Sequence, residues 1–134
     1  MVKMRTDPRT ALLLGVDLLA LLLFVVVGLG SHHEVAGIDL FARNAIPLVV
    51  SWCLFSAVMK TYRHPDLASM FRTWLVAVPA ALVIRSVWVG SPTGGKFLVF
   101  LAVGMGFTLL FLLAGRGLVA LATGRGWPGT RRAQ

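Results

Sequence analysis

Residues 11–30 read ALLLGVDLLALLLFVVVGLG. Only Asp17 is ionisable in that run. A helix rises about 1.5 Å per residue, so about 20 apolar residues cross the ~30 Å hydrocarbon core of a bilayer. The stretch therefore predicts a transmembrane helix with one acidic group about two turns inside it. Three more runs follow, giving spans of about 11–30, 43–59, 70–89 and 97–115. The second is the shortest and carries Pro47 near its start; Arg43 and Asn44 complete it, because a flanking Arg can snorkel to the interface. A re-entrant second segment is the alternative. The expected fold class is all-α: a four-transmembrane-helix bundle within residues 1–122, followed by a basic tail over 123–134.

Composition agrees with the spans. Of the 134 residues, 57% are hydrophobic and 13% charged, with a mean hydropathy of +0.84. Soluble domains carry about 25% charged residues, and one this short cannot hide so much apolar surface in a single core. A soluble enzyme, a disulfide scaffold and a disordered chain are excluded. The first run is too long for the apolar part of a cleaved signal peptide, and no small-x-small cleavage site precedes a soluble domain.

The net charge of +8 would suggest nucleic acid in a soluble protein. Here the bases lie in the gaps between apolar runs, which is a topological pattern, so no nucleic-acid partner is expected. Lys3, Arg5, Arg9, Lys60, Arg63, Arg72, Arg116, Arg125, Arg131 and Arg132 fall on one side, and Arg43 and Lys96 on the other. The positive-inside bias places both termini on the cytoplasmic side of the membrane. Trp74 and Trp88 sit near opposite ends of the third span, as interfacial Trp residues do. Cys53, the single cysteine, reads as a small buried apolar residue.

At this point the residues resemble a family. Gly15-Val16-Asp17-Leu18-Leu19, then Phe24, Gly28 and Ser31-His32, are similar to the first-helix signature of the bacterial and archaeal membrane family called domain of unknown function 3054. Ile46-Pro47 with Trp52, Arg72-x-Trp74 with Arg85, and Leu112-Leu113-Ala114-Gly115-Arg116 resemble its other three helices. The resemblance covers roughly residues 9–118 and implies four helices, with no established activity. One departure stands out. Basic residues often precede the Ser-His pair in the family, whereas Leu29 and Gly30 stand here, so anything those bases bind would be bound differently.

Few polar groups could carry chemistry. An ionisable residue inside a span costs at least ~2.5–3.5 kcal/mol near the centre, so Asp17 should face the bundle interior. It is either a proton or cation site or a carboxyl that fixes helix packing; Ser56 and Thr108 are the partners expected at its depth. Arg85, one turn from the other end of the third span, is either a snorkelling structural residue or an anion-contacting group that meets His32, His33, Glu34 and Asn44 in a polar cluster at the outer mouth. Two adjacent histidines and a Glu lack the spacing of a zinc site, so no metal and no cofactor are expected. No motif fixes a nucleophile or an acid–base pair, so no catalytic residues and no enzyme activity are expected either. Pro79 should kink the third helix. Ala102-x-Gly104-x-Gly106-x-Thr108 gives small-xxx-small spacings that let helices approach closely.

Three functions stay open: a small transport-related or channel-like protein with Asp17 as its proton or cation group; a non-catalytic accessory or scaffold subunit of a membrane complex; and a lipid- or hydrophobic-ligand-binding bundle. The expected partners are membrane lipids, a second copy in a homodimer, and a membrane-protein partner.

Overall fold

The computed structural model describes residues 8–31, 37–63, 66–90 and 92–124. They form four helices: α1 Pro8–Ser31, α2 Ile38–Val58, α3 Leu67–Val89 and α4 Gly95–Thr123. Each is long and apolar enough to cross a membrane, and no strand occurs among the described residues. Two boundaries move furthest from the sequence reading. Helix α2 begins at Ile38 and has 21 residues, enough for a full span with no shortening at Pro47. Helix α4 has 29 residues and runs on past 115 to Thr123, so Arg116 lies within the helix. The backbone stays helical through Pro47 and Pro79.

The helices alternate in direction, because each follows the last through a short connection. One end of the bundle, the terminal end, holds the start of α1, the α2–α3 turn and the last turns of α4. The distal end holds the other two connections. Helix α2 packs most extensively on α3 and α1 on α4, while α3 and α4 make the sparsest contact of the neighbouring pairs. The diagonal pairs make no close backbone approach among the described residues.

The buried faces follow helical spacing. In α1, Leu13, Asp17, Leu21 and Val25 are buried, and in α4 Gly104, Thr108, Leu112 and Arg116 are. Each set steps by four residues, the row that forms a packing ridge on a helix surface. Gly115 lies beside the α4 row; a Cβ there would stand 3.0 Å from Val16 Cγ1, so the absent side chain lets α1 and α4 close on each other. Only half of the small-residue pattern is used. Gly104 and Thr108 face inward, while Ala102 and Gly106 are exposed.

One further expectation is corrected. Cys53 is exposed, because the inward row of α2 is Ala45, Leu48, Trp52 and Ser56 and position 53 turns past it. Trp74, towards one end of α3, is buried in the bundle. Its indole donates to Thr108 Oγ1 at 3.1 Å and to the Met105 carbonyl at 3.2 Å, which ties α3 to α4.

Candidate functional site

The polar groups form two clusters, one at each end. The terminal cluster begins with Asp17, which is fully buried. Its carboxylate meets Arg116 of α4 in a two-pronged pair: Nε donates to Oδ1 at 3.0 Å and Nη2 to Oδ2 at 2.7 Å. Both side chains are 0% exposed. A lone buried charge would be expelled or neutralised, whereas this pair is neutral overall and matches planar fork to planar carboxylate. Arg116 Nη1 has no acceptor among the described residues.

A third donor comes from the α2–α3 turn. Tyr62 donates its hydroxyl to Asp17 Oδ2 at 2.6 Å and accepts from the Trp52 indole at 2.9 Å. Burial first, and then the neighbouring Asp17 carboxylate, push the Tyr62 phenol well above its ordinary value near 10. The turn's geometry places the ring there. Lys60 adopts φ 54, in the left-handed region, with Lys60 N–H bonded to Ala57 O and Thr61 N–H to Ser56 O. That double bond pattern is the Schellman ending of a helix, here with lysine where glycine is usual. It folds the chain back over the bundle end. Thr61 is buried against Thr73 of α3 through a hydroxyl–hydroxyl bond, and the Tyr62 carbonyl accepts from Thr10 at 3.4 Å. Arg116 of α4 and Tyr62 of the turn thus meet the α1 carboxylate, and Trp52 of α2 braces Tyr62.

Ser56 and Thr108, the partners expected for Asp17, bond elsewhere. Ser56 donates to the Cys53 carbonyl on its own helix, and Thr108 donates to Gly104 O at 2.7 Å while accepting from Trp74. The sequence reading missed Arg116 and Tyr62. Arg116 carried a signal, since it continues the row from Gly104 in steps of four, but it was counted only among the bases that set orientation. Tyr62, among Lys60 and Arg63, carried none.

The distal cluster joins Asn44 and Arg85, as the sequence had grouped them. Arg85 Nε donates to Asn44 Oδ1 at 2.9 Å, and Asn44 Nδ2 donates to Leu40 O at 2.8 Å. The guanidinium carbon lies 5.0 Å from the centre of the Phe100 ring, a cation–π contact that holds the head against α4. His32, His33 and Glu34 lie outside the described residues. Beneath Arg85 runs a partly open cavity of about 640 Å³. Its walls are apolar, among them Phe24, Leu48, Leu82, Phe107 and Phe111, and its rim carries Asn44, Arg85 and Lys96. No group of three His, Cys, Asp or Glu residues among those described could hold a metal ion.

The family described as a protein of unknown function, DUF3054, matches residues 14–119. The chain belongs to the DUF3054 family. The DUF3054 segment contains Asp17, Tyr62 and Arg116 of the terminal cluster and Asn44, Arg85 and Lys96 of the distal one. Comparisons with curated proteins and with solved structures gave no match.

Proposed function

We propose that this protein is a membrane bundle that binds a hydrophobic ligand, holding hydrocarbon in its distal cavity. The observation that carries the reading is the apolar cavity of about 640 Å³ between four spanning helices. Ligand sites are typically concave, apolar spaces of about 300–1,000 Å³ with a few polar groups that set orientation. Within a bilayer such a space is filled by hydrocarbon, held there by packing contacts, since lipid tails are as apolar as the walls.

Proton or cation transport through Asp17 has weaker support. The carboxylate already holds a guanidinium and a phenol, so an incoming cation has to displace Arg116. The two polar clusters are separated by a fully buried apolar layer of Leu21, Val78 and Leu112.

The test is lipid retention. Protein extracted gently from membranes and examined by native mass spectrometry is expected to carry a bound lipid or isoprenoid at near one per chain. Gly104→Leu and Val103→Trp, both on the cavity wall, are expected to lower occupancy several-fold. Wild-type protein that carries nothing above the level of a single-span control would end this reading.

A further inference from the structure

We propose that the distal cavity takes one acyl chain of an anionic membrane lipid whose headgroup lies against Arg85 and Lys96; this rests on the hydrophobic-ligand reading above. The first argument is length. The cavity is lined along α4 from Lys96 to Phe111, a rise of about 22 Å at about 1.5 Å per residue. That is the depth of one leaflet of a ~30 Å core together with its interface. A lipid of the distal leaflet therefore presents its chain to the walls and its headgroup to the rim without leaving its own layer.

The second argument is charge. The described residues lining the cavity include two cations, Arg85 and Lys96, and no carboxylate. Arg85 lies about one turn from the end of α3, and Lys96 is the second residue of α4, so both stand at headgroup level. Arg85 is pre-oriented by Asn44 at 2.9 Å and by the Phe100 ring at 5.0 Å. An anion is the ligand class that a planar guanidinium beside an ammonium selects. Lys96 is exposed and adaptable.

The third argument is the seam. Helices α3 and α4 are bonded through Trp74 and Thr108 deeper in the bundle, while Leu82 and Gly104 touch so closely that a Cβ on Gly104 would fall 2.9 Å from Leu82 Cδ1. The wall residues open to the bilayer are Val27 of α1 and Val99, Val103 and Phe107 of α4, so the opening lies between those two helices. A chain can enter sideways from the bilayer at the distal end and stop at the aromatic floor of Phe24 and Phe111, whose rings meet edge-on at 6.5 Å.

The experiment reconstitutes the full chain in phosphatidylcholine vesicles with trace chain-labelled phosphatidylglycerol or phosphatidylcholine. Electron spin resonance then reads the motionally restricted fraction. A basic group at the surface favours an anionic headgroup by about five-fold, so phosphatidylglycerol is expected to be preferred at least about five-fold at low salt, and less at 1 M salt, where the screening length is about 3 Å. Lys96→Gln, at an exposed site, is expected to cut the preference several-fold, and Arg85→Gln with Lys96→Gln to bring it near unity. Gly104→Leu is expected to remove the restricted signal for both lipids. Equal restriction of the two lipids in wild type, still lost in Gly104→Leu, overturns the anionic-headgroup proposal and leaves the hydrophobic-ligand reading standing. A preference unchanged in the double variant overturns the assignment to Arg85 and Lys96. A restricted fraction that Gly104→Leu leaves untouched overturns both proposals.

Discussion

Asp17 and Arg116 lie 99 residues apart in sequence and share two hydrogen bonds. Removing one partner of such a pair strands the other charge, which costs about 3–5 kcal/mol. The amide of Asp17→Asn could replace a hydrogen bond but not the counter-charge, so this mild substitution should be nearly as damaging as Asp17→Ala. Thermal unfolding in detergent is expected to show both variants, and Arg116→Ala, strongly destabilised. The exchange Asp17→Arg with Arg116→Asp should recover part of the loss; full additivity of the two single changes would mean the pair is not coupled. Tyr62 offers a second measurement, because it is the only tyrosine. The raised folded value means that folding favours the neutral phenol. The associated stability is complete below pH about 10, the value in the unfolded chain, and declines as pH rises from there toward the folded value. Phenolate absorbance should therefore appear in the folded protein only well above pH 10 and jump upward on unfolding at that pH. Titration of the folded protein at the free-tyrosine value would refute the buried bond to Asp17.

At the scale of elements, the α2 ending deserves the next test. Lys60 holds a left-handed conformation with an exposed side chain, a geometry that costs an L-residue roughly 1–2 kcal/mol. Lys60→Gly should therefore stabilise the bundle by up to about 1 kcal/mol, less the entropy glycine gains when unfolded. Lys60→Val should destabilise it, since a branched side chain fits that region worst. Denaturation midpoints of the three proteins give the order directly, and a Gly variant less stable than the Val variant would contradict the Schellman ending. Helix α3 starts by a more ordinary device. Asp66 accepts from the Ser69 N–H at 2.8 Å, and bonds from Ser69 hold the Asp66 carboxyl below its ordinary value of 3.8.

For the whole molecule, orientation is the open quantity. Moving Arg116 into the bundle core leaves nine Lys and Arg residues on the terminal side against Arg43 and Lys96 on the distal side. The asymmetry still predicts a cytoplasmic terminal end. Reporters fused at Gln134 and after Thr61 should read cytoplasmic, and one at Ala36 external. The opposite pattern would place the distal cavity in the cytoplasmic leaflet and reverse the side from which a lipid enters.

The four spans were legible in residue order alone. Span length and hydropathy are local quantities, and a bilayer tests each helix against the same ~30 Å thickness whatever its neighbours do. Family membership was legible too, through the short motifs around Asp17, Trp74, Arg85 and Gly115. The inward placement of Asp17 followed from the cost of a lipid-facing carboxylate, but its partner did not. Which cation meets it depends on how α4 is rotated and how far it extends. Those are set by Gly115 against Val16 and by four-residue rows that mesh only when two helices are side by side. Tyr62 was equally unreadable, since a loop residue enters a core only when a turn such as that at Lys60 aims it there. The cavity is lined by residues of all four helices, so it is decided by how they pack, and no single stretch of sequence contains that information.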